Sequence, residues 1–259
     1  MRNPAFSDAA FKSGSTVPGA VSTAQLEEMY QRPSEERMTI DDSIRKSAAA
    51  FGILVLGAVV GWLTMPAVPL LWVGAGIVGI VLAFVNIFKK QPSGALVLSY
   101  AAAQGVFLGG ISAFYEAQYP GIVMQAVIAT LCVVGVTLWL FASGKVRASK
   151  KATKVFLVAL IGYALFSIIN VVLSLTGVVA DPWGLRTGVE IFGIPLGIVL
   201  GILAVLLGAY SLVLDFDFIK QGVDNAAPKA YGWRGAFGIM LTVIWLYLEI
   251  LRLIAIARD

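Results

Sequence analysis

The sequence lacks histidine altogether, and it contains one cysteine, Cys132, among its 259 residues. The absence of imidazole excludes His-dependent catalytic triads, His-ligated metal sites and the usual side-chain proton switch near neutral pH. A rhomboid-type intramembrane protease is excluded for the same reason, and a single cysteine excludes an intramolecular disulfide. Because no nucleophile–base pair or metal cluster is visible either, we expect that the chain is not an enzyme and has no cofactor.

Charged residues are also scarce: 13% of the residues are charged, 59% are hydrophobic, and the mean hydropathy is +0.87. A soluble domain keeps about a quarter of its residues charged, so this composition indicates an integral membrane protein. Seven apolar runs are long enough to cross about 30 Å of hydrocarbon as helices. They are Ser47–Thr64, Pro69–Phe88, Gly94–Tyr115, Ile122–Ser143, Val155–Thr176, Ile194–Leu214 and Ala236–Ile256. We therefore predict an all-α integral membrane protein, a seven-transmembrane-helix bundle.

The first 43 residues differ from the rest because they are polar, carry charges of both signs and lack the short apolar core of a signal peptide. We predict that residues 1–43 form a mostly disordered cytoplasmic tail. Residues 44–259 then form the seven-helix membrane domain.

The basic residues predict the orientation of the chain. Sixteen of the 19 Lys and Arg residues lie in the tail or in the second, fourth or sixth connection, and the exceptions are Arg186, Arg252 and Arg258. Because basic residues concentrate on the cytoplasmic side, we predict a cytoplasmic N-terminus and, after seven crossings, an external C-terminus. The net charge of +4 is then a topology signal, so we expect the lipid bilayer as a partner and no nucleic acid.

An acidic residue, Glu249, lies inside the last apolar run. A charge near the bilayer centre costs on the order of 2.5–3.5 kcal/mol on insertion scales, so such a residue usually has a partner. Arg252 could supply it at i,i+3, or its guanidinium could reach the membrane surface instead. Two interpretations stay open: an ion pair that fastens the last helix, and a protonatable or cation-binding carboxylate in a pore.

Other polar and small residues mark the remaining spans. Asp215 and Asp217 follow the sixth run in LDFDFIKQG, and on a helix at most one of them can face inward. We expect interhelical hydrogen bonds from polar residues of the third and fifth runs, which are Gln104, Ser167 and Asn170. Glycines at four-residue spacing predict close helix packing in lipid, and they are Gly57–Gly61, Gly105–Gly109 and Gly193–Gly197–Gly201.

Several of these segments resemble the Bax inhibitor-type transmembrane family (TMBIM). LYLEILRL, which contains Glu249, resembles the family's closing motif LYLDFINL, and LDFDFI resembles its aspartate motif near the end of the sixth span. AQGVFLGGIS resembles the third-span EGLSLG stretch, while NPAF and MTIDDSIRK are similar to the bacterial YccA-like branch. The resemblance covers all seven spans and implies a fold in which the other six helices surround a central last helix.

The resemblance also implies a function. Bacterial members include pH-sensitive calcium leak proteins, in which two acids of the sixth and seventh helices pair across the pore; the matching positions are Asp215 and Glu249. Protons and Ca²⁺ would compete there for the same carboxylate oxygens, with Arg252, Asp217 and Gln104 in supporting roles. We predict a pH-sensitive cation (calcium) leak channel of the bacterial cytoplasmic membrane. The alternative is a non-conducting regulator of a membrane-bound AAA protease.

Two departures from the family pattern concern these acids. The family's third-span glutamate is Gln104 here, so the core has one negative charge fewer. The interval from Asp215 to Glu249 is also longer than is usual in the family. Direct pairing of the two acids then requires an extended sixth helix, a deep cytoplasmic vestibule or a last segment that does not cross simply.

Overall fold

The computed structural model describes residues 37–179 and 183–259, so most of the predicted tail lies outside the described residues. Within these ranges, seven helices are long and apolar enough to cross a membrane. The first five are α1 (Ile40–Thr64), α2 (Pro69–Phe88), α3 (Gly94–Gln118), α4 (Ile122–Ala142) and α5 (Lys150–Leu175). The short helix α6 (Leu185–Gly188) and an antiparallel hairpin of β1 (Glu190–Ile191) and β2 (Ile194–Pro195) follow. The sixth and seventh spans are α7 (Leu196–Asp224) and α8 (Tyr231–Arg258), and the predicted all-α seven-helix membrane fold is confirmed.

Polar caps make α1 longer than its apolar run. The helix begins at Ile40 rather than Ser47, because the Thr39 hydroxyl accepts a hydrogen bond from the Asp42 amide at 3.1 Å. Asp42 also places negative charge in the first turn, where the helix dipole favours it. The first helix therefore starts within the segment that the composition assigned to the tail.

The sixth spanning helix, α7, is extended. It continues past the predicted end at Leu214 and ends at Asp224, so Asp215 lies inside a helix rather than at its end. Direct pairing of Asp215 and Glu249 would require one of three arrangements, and an extended sixth helix is one of these.

The described part of the chain forms two compact units. Of the described residues, unit 1 comprises 37–113 and Asp215–Met240, and unit 2 comprises those within Phe114–Leu214 together with Leu241–Asp259. Three helices, α3, α7 and α8, therefore contribute residues to both units.

In unit 1, α1 and α3 approach each other with their backbones almost in contact. A Cβ atom at Gly105 would lie 2.3 Å from the Leu54 carbonyl oxygen, and one at Gly109 would lie 1.9 Å from the Ala58 carbonyl oxygen. A Cβ atom at Gly61 of α1 would likewise meet the backbone of α3. The glycine spacing in these two helices thus indicates their packing correctly.

In unit 2, glycines of α7 face large side chains of α8. A Cβ atom at Gly197 would lie 2.7 Å from Ile256 Cδ1, and one at Gly201 would lie 2.8 Å from Leu253 Cδ1. Gly193 was wrongly interpreted as a packing glycine. It lies in the hairpin turn with φ +79°, which an L side chain rarely adopts, and nothing lies within 4 Å of a Cβ atom there.

The spanning helices differ in how much surface they bury. Large apolar side chains of α1, α2, α4 and α5 stay exposed, among them Leu63, Leu70, Leu131 and Leu175. Lipid tails provide these side chains with apolar surroundings, as water would not. In contrast, α8 is the most buried of the seven spans among the described residues, which agrees with the predicted central position of the last helix.

Candidate functional site

The connection from α5 to α7 lies alongside the last turns of α5. Asn170 is five residues before the end of α5, yet its Oδ1 accepts a hydrogen bond from the Leu185 amide at 2.7 Å. Its Nδ2 donates to the Trp183 carbonyl at 3.2 Å. These bonds satisfy two backbone groups of the irregular connection. Asn170 therefore forms the expected interhelical bond, from α5 to Leu185 of the short helix α6, and its second bond holds Trp183 of the preceding loop.

This loop places Arg186 inside unit 2, where only 4% of the residue is exposed. Its Nη2 donates to Ser167 Oγ at 3.0 Å and to Tyr163 Oη at 3.3 Å. The guanidinium also lies over the rings of Tyr163 and Phe166, 5.5 Å and 5.6 Å from their centroids. Its Nη1 is buried and has no hydrogen-bond partner among the described residues. Among the described residues, the contacts of Arg186 are thus with neutral groups.

Glu249 lies in the same unit and is also 4% exposed. Arg252 Nη1 donates to both carboxylate oxygens, at 3.0 Å to Oε1 and 3.1 Å to Oε2. Trp245 Nε1 donates to Oε1 at 3.3 Å, and Arg252 Nη1 lies 3.4 Å from Tyr163 Oη. The ion pair at i,i+3 considered from the sequence is therefore present, and it engages both oxygens of Glu249.

A cavity of about 490 Å³ in unit 2 brings these groups together. Its volume is within the range of small-molecule sites, roughly 300–1,000 Å³. Most of its wall is apolar and includes the indoles of Trp183 and Trp245. Its polar lining comes from Tyr163, Ser167, Asn170, Ser174, Arg186, Glu249 and Arg252.

The charges that line this cavity do not balance. Glu249 and Arg252 neutralise each other, whereas Arg186 forms no ion pair among the described residues. The lining residues that the structure describes therefore carry one net positive charge. A positive cavity disfavours a calcium ion close to Glu249, so the prediction that Glu249 binds a cation directly receives no support from these contacts.

The two aspartates of the sixth span have different surroundings in unit 1. Asp215 is 5% exposed and packs against α8, where a Cβ atom at Gly238 would lie 2.8 Å from Asp215 Oδ1. Asp217 is half-buried, and its Oδ2 accepts a hydrogen bond from Gln221 Nε2 at 2.5 Å. As predicted, one of the two faces inward, and it is Asp215. Asp215 lies in unit 1 and Glu249 in unit 2.

Gln104 occupies the position of the family's third-span glutamate. Its side chain covers Gly79 of α2, where a Cβ atom would lie 2.6 Å from Gln104 Nε2. Its Oε1 is buried and has no hydrogen-bond partner in the described part of the chain, so the expected interhelical bond from that oxygen is absent there. The amide fits a small gap between α2 and α3.

The last residue, Asp259, joins the ends of three segments of unit 2. Its carboxylate accepts a hydrogen bond from the Tyr119 hydroxyl, and its Oδ2 accepts one from Trp183 Nε1 at 2.5 Å. The hydrogen bond to Asp259 is the main cause that raises the pKa of Tyr119 to about 12. The C-terminus thus ties the α3–α4 turn to the loop before α6.

Comparison with protein families shows the family to which the chain belongs. Residues 3–259 match the family described as Bax inhibitor 1 like. The chain belongs to the Bax inhibitor 1 like family. The seven spans, the buried acid of α8 and the buried acid of α7 are therefore features of a member of this family. Comparison with curated proteins gave no match.

Sequence reasoning missed Arg186, which it placed in an external loop. One signal could have found it. Tyr163, Ser167 and Asn170 follow each other at spacings of four and three residues, so they form a polar stripe on one face of an otherwise apolar helix. Such a stripe requires a polar partner, and Arg186 is the basic residue of the next connection.

Proposed function

We propose that this Bax inhibitor 1 like protein is a pH-sensitive cation leak channel of a bacterial cytoplasmic membrane, with calcium as the transported ion. The burial of two carboxylates in spanning helices supports the proposal most directly: Asp215 in α7 is 5% exposed and Glu249 in α8 is 4% exposed. Acids at membrane depth are costly and commonly mark pathways for ions or protons. We also propose that the protein is not an enzyme, that its N-terminus is cytoplasmic and that it belongs to the YccA-like branch. These three proposals rest on the sequence patterns.

We assign different roles to the two acids. Glu249 is the candidate latch between α8 and its own Arg252, because Arg252 donates to both of its oxygens. Loss of the Glu249 charge, as in Glu249→Gln, would weaken these hydrogen bonds, because charge-assisted bonds are about twice as strong as neutral ones. Asp215 is the candidate cation ligand, since it is buried against the glycine backbone of α8 at Gly238. No group of three or more His, Cys, Asp or Glu that could hold a metal ion occurs in the described ranges, so binding would be weak, as a leak requires.

The latch is tested by measuring calcium flux into liposomes from about pH 5 to about pH 8. Folded proteins usually keep their stability in this range. Glu249→Gln should give a folded protein whose flux no longer changes with pH. Glu249→Asp keeps the charge and should keep the response. An unchanged pH profile in a well-folded Glu249→Gln protein would refute the latch and leave a purely structural ion pair.

The role of Asp215 has a matched control two residues away. Asp215→Asn should lower calcium flux more than Asp217→Asn, because Asp217 is half-buried and bonded to Gln221 on the same helix. Equal effects of the two substitutions would contradict the assignment of Asp215.

A second function, a non-conducting regulator of a membrane-bound AAA protease, is favoured by the contacts of Glu249. Arg252 already occupies both carboxylate oxygens, and Arg186 adds a further positive charge to the same cavity. In that case the purified wild-type protein should conduct no calcium at any pH in liposomes. Flux above that of protein-free liposomes would exclude this second function as the whole explanation.

A further inference from the structure

The cavity of unit 2 contains a buried cation whose charge is not compensated by the residues described around it. Arg186 is 96% buried, since 4% of it is exposed, and its Nη1 lacks a hydrogen-bond partner among the described residues. Ser167, which it contacts, is eight residues before the end of α5, or about 12 Å of helix. A guanidinium at that depth is stable only with a counter-charge or hydrogen-bond acceptors. Ser167 and Tyr163 supply acceptors to Nη2, so Nη1 is the donor left for a further acceptor, and a negatively charged one would also balance the guanidinium.

The shape and walls of the cavity restrict what this partner can be. A volume of about 490 Å³ is far larger than a single water or halide ion requires. The lining runs along α5 from Leu160 to Leu175, about 22 Å of helix rise, and is mostly apolar. The cavity thus combines one uncompensated guanidinium with a long apolar wall. This combination suits an anion that carries an apolar chain.

We propose that this cavity binds an amphiphilic monovalent oxyanion, with its charged oxygens on Arg186 Nη1 and its chain along the apolar wall of α5. Guanidinium groups match the geometry of carboxylate and phosphate oxygens. One negative charge balances the one net positive charge of the lining. The ligand can be a free fatty acid, through its carboxylate, or an anionic phospholipid, through its phosphodiester. Glu249 and Arg252 line the same cavity, but the proposed site does not rest on the calcium pathway, because its contact with the oxyanion is Arg186 and it needs neither Asp215 nor ion flux.

Contact quenching of tryptophan fluorescence provides the test, since Trp183 and Trp245 line the cavity. The full chain is placed in phosphatidylcholine nanodiscs and titrated with bromoundecanoate. We expect a saturable quenching component that undecanoate displaces and undecanol, which has the same chain without the charge, does not. In a second arm, brominated phosphatidylglycerol replaces the fatty acid, with brominated phosphatidylcholine as its zwitterionic control.

The variants separate binding at Arg186 from general partition into lipid. Arg186→Gln should weaken the saturable component roughly 10- to 100-fold, the effect of losing a charged hydrogen bond, while Arg186→Lys, which keeps the charge but not the planar guanidinium, should weaken it less. Arg147→Gln is the matched control, because that guanidinium also lies over an aromatic ring, Phe141 at 4.5 Å, but is exposed. Circular dichroism of each variant reports folding.

The arms of the experiment have distinct meanings. Binding of the fatty acid or of the phosphatidylglycerol that depends on Arg186 identifies the source of the oxyanion. Equal quenching of wild type and a folded Arg186→Gln protein in both arms would overturn the proposal. Binding that emerges only in Asp181→Asn would overturn it too, because the chain's own carboxylate, at a position outside the described residues, would then fill the role of the ligand.

Discussion

The contact between α1 and α3 allows a substitution of one methyl group to be evaluated directly. In Gly109→Ala, the new Cβ atom would lie 1.9 Å from the Ala58 carbonyl oxygen and 2.7 Å from the Ala58 carbonyl carbon. Ordinary contact begins near 3.4 Å, so the two helices must separate by about 1.5 Å at this point. The obstacle is backbone, which cannot rotate away as a side chain can.

The expected loss of stability follows from two opposing terms. Overpacking of a close contact costs about 1–3 kcal/mol, and replacing glycine by alanine in a helix returns up to about 1 kcal/mol of propensity. We expect Gly109→Ala to lower the free energy of unfolding by about 1–2 kcal/mol. For a domain of this size, that corresponds to a decrease in Tm of roughly 2–8 °C.

Thermal unfolding in detergent, followed by circular dichroism, measures this difference against a matched control. Gly52→Ala makes the same chemical change in α1, but nothing lies within 4 Å of a Cβ atom at that position. Gly52→Ala should therefore leave Tm unchanged or raise it slightly. Equal Tm values for the two variants would show that the helices have room at Gly109, and the reasoning would be wrong.

Two further predictions concern the surface of the membrane domain. Because the hydrogen bond to Asp259 holds the pKa of Tyr119 at about 12, above its ordinary 10.0, the bond should persist below pH 10 and be lost as the pH rises through 12. The phenolate absorbance of Tyr119 is the difference between wild type and Tyr119→Phe. The midpoint of its titration should therefore shift to lower pH in Asp259→Asn, and no shift would contradict the assignment. From the charge asymmetry, a reporter fused after Lys151 should be cytoplasmic, whereas external reporter activity would reverse the orientation.

The sequence predicts most of the fold because the relevant physics is local or one-dimensional. Apolar length alone determines the seven spans, and an i,i+3 spacing is sufficient to bring Arg252 to Glu249 within one helix. The inward side of Asp215 relative to Asp217 follows equally from helical geometry. Errors occur at helix ends, as at Ile40, where a capping hydroxyl extends a helix beyond its apolar residues.

The position of Arg186 in the site of unit 2 is harder to predict, because it depends on a loop that packs alongside a helix. Charge counting places Arg186 outside the membrane span, since basic residues of short connections normally lie in water. Its burial depends instead on Asn170, which supplies the hydrogen bonds that the loop backbone needs. Only the polar stripe of α5 indicates this arrangement, and a stripe alone does not identify its partner.

The fit between Asn170 and Gly184 has a consequence for the evolution of the chain. A Cβ atom at Gly184 would lie 2.4 Å from Asn170 Oδ1, and the glycine has φ +65°, so any side chain there meets both a steric and a conformational obstacle. If a sequence gains a side chain at position 184, it must therefore either lose the side-chain amide at position 170 or change the path of the loop. Among relatives that keep a buried arginine two residues later, these two positions should covary, whatever happens to the charged residues themselves.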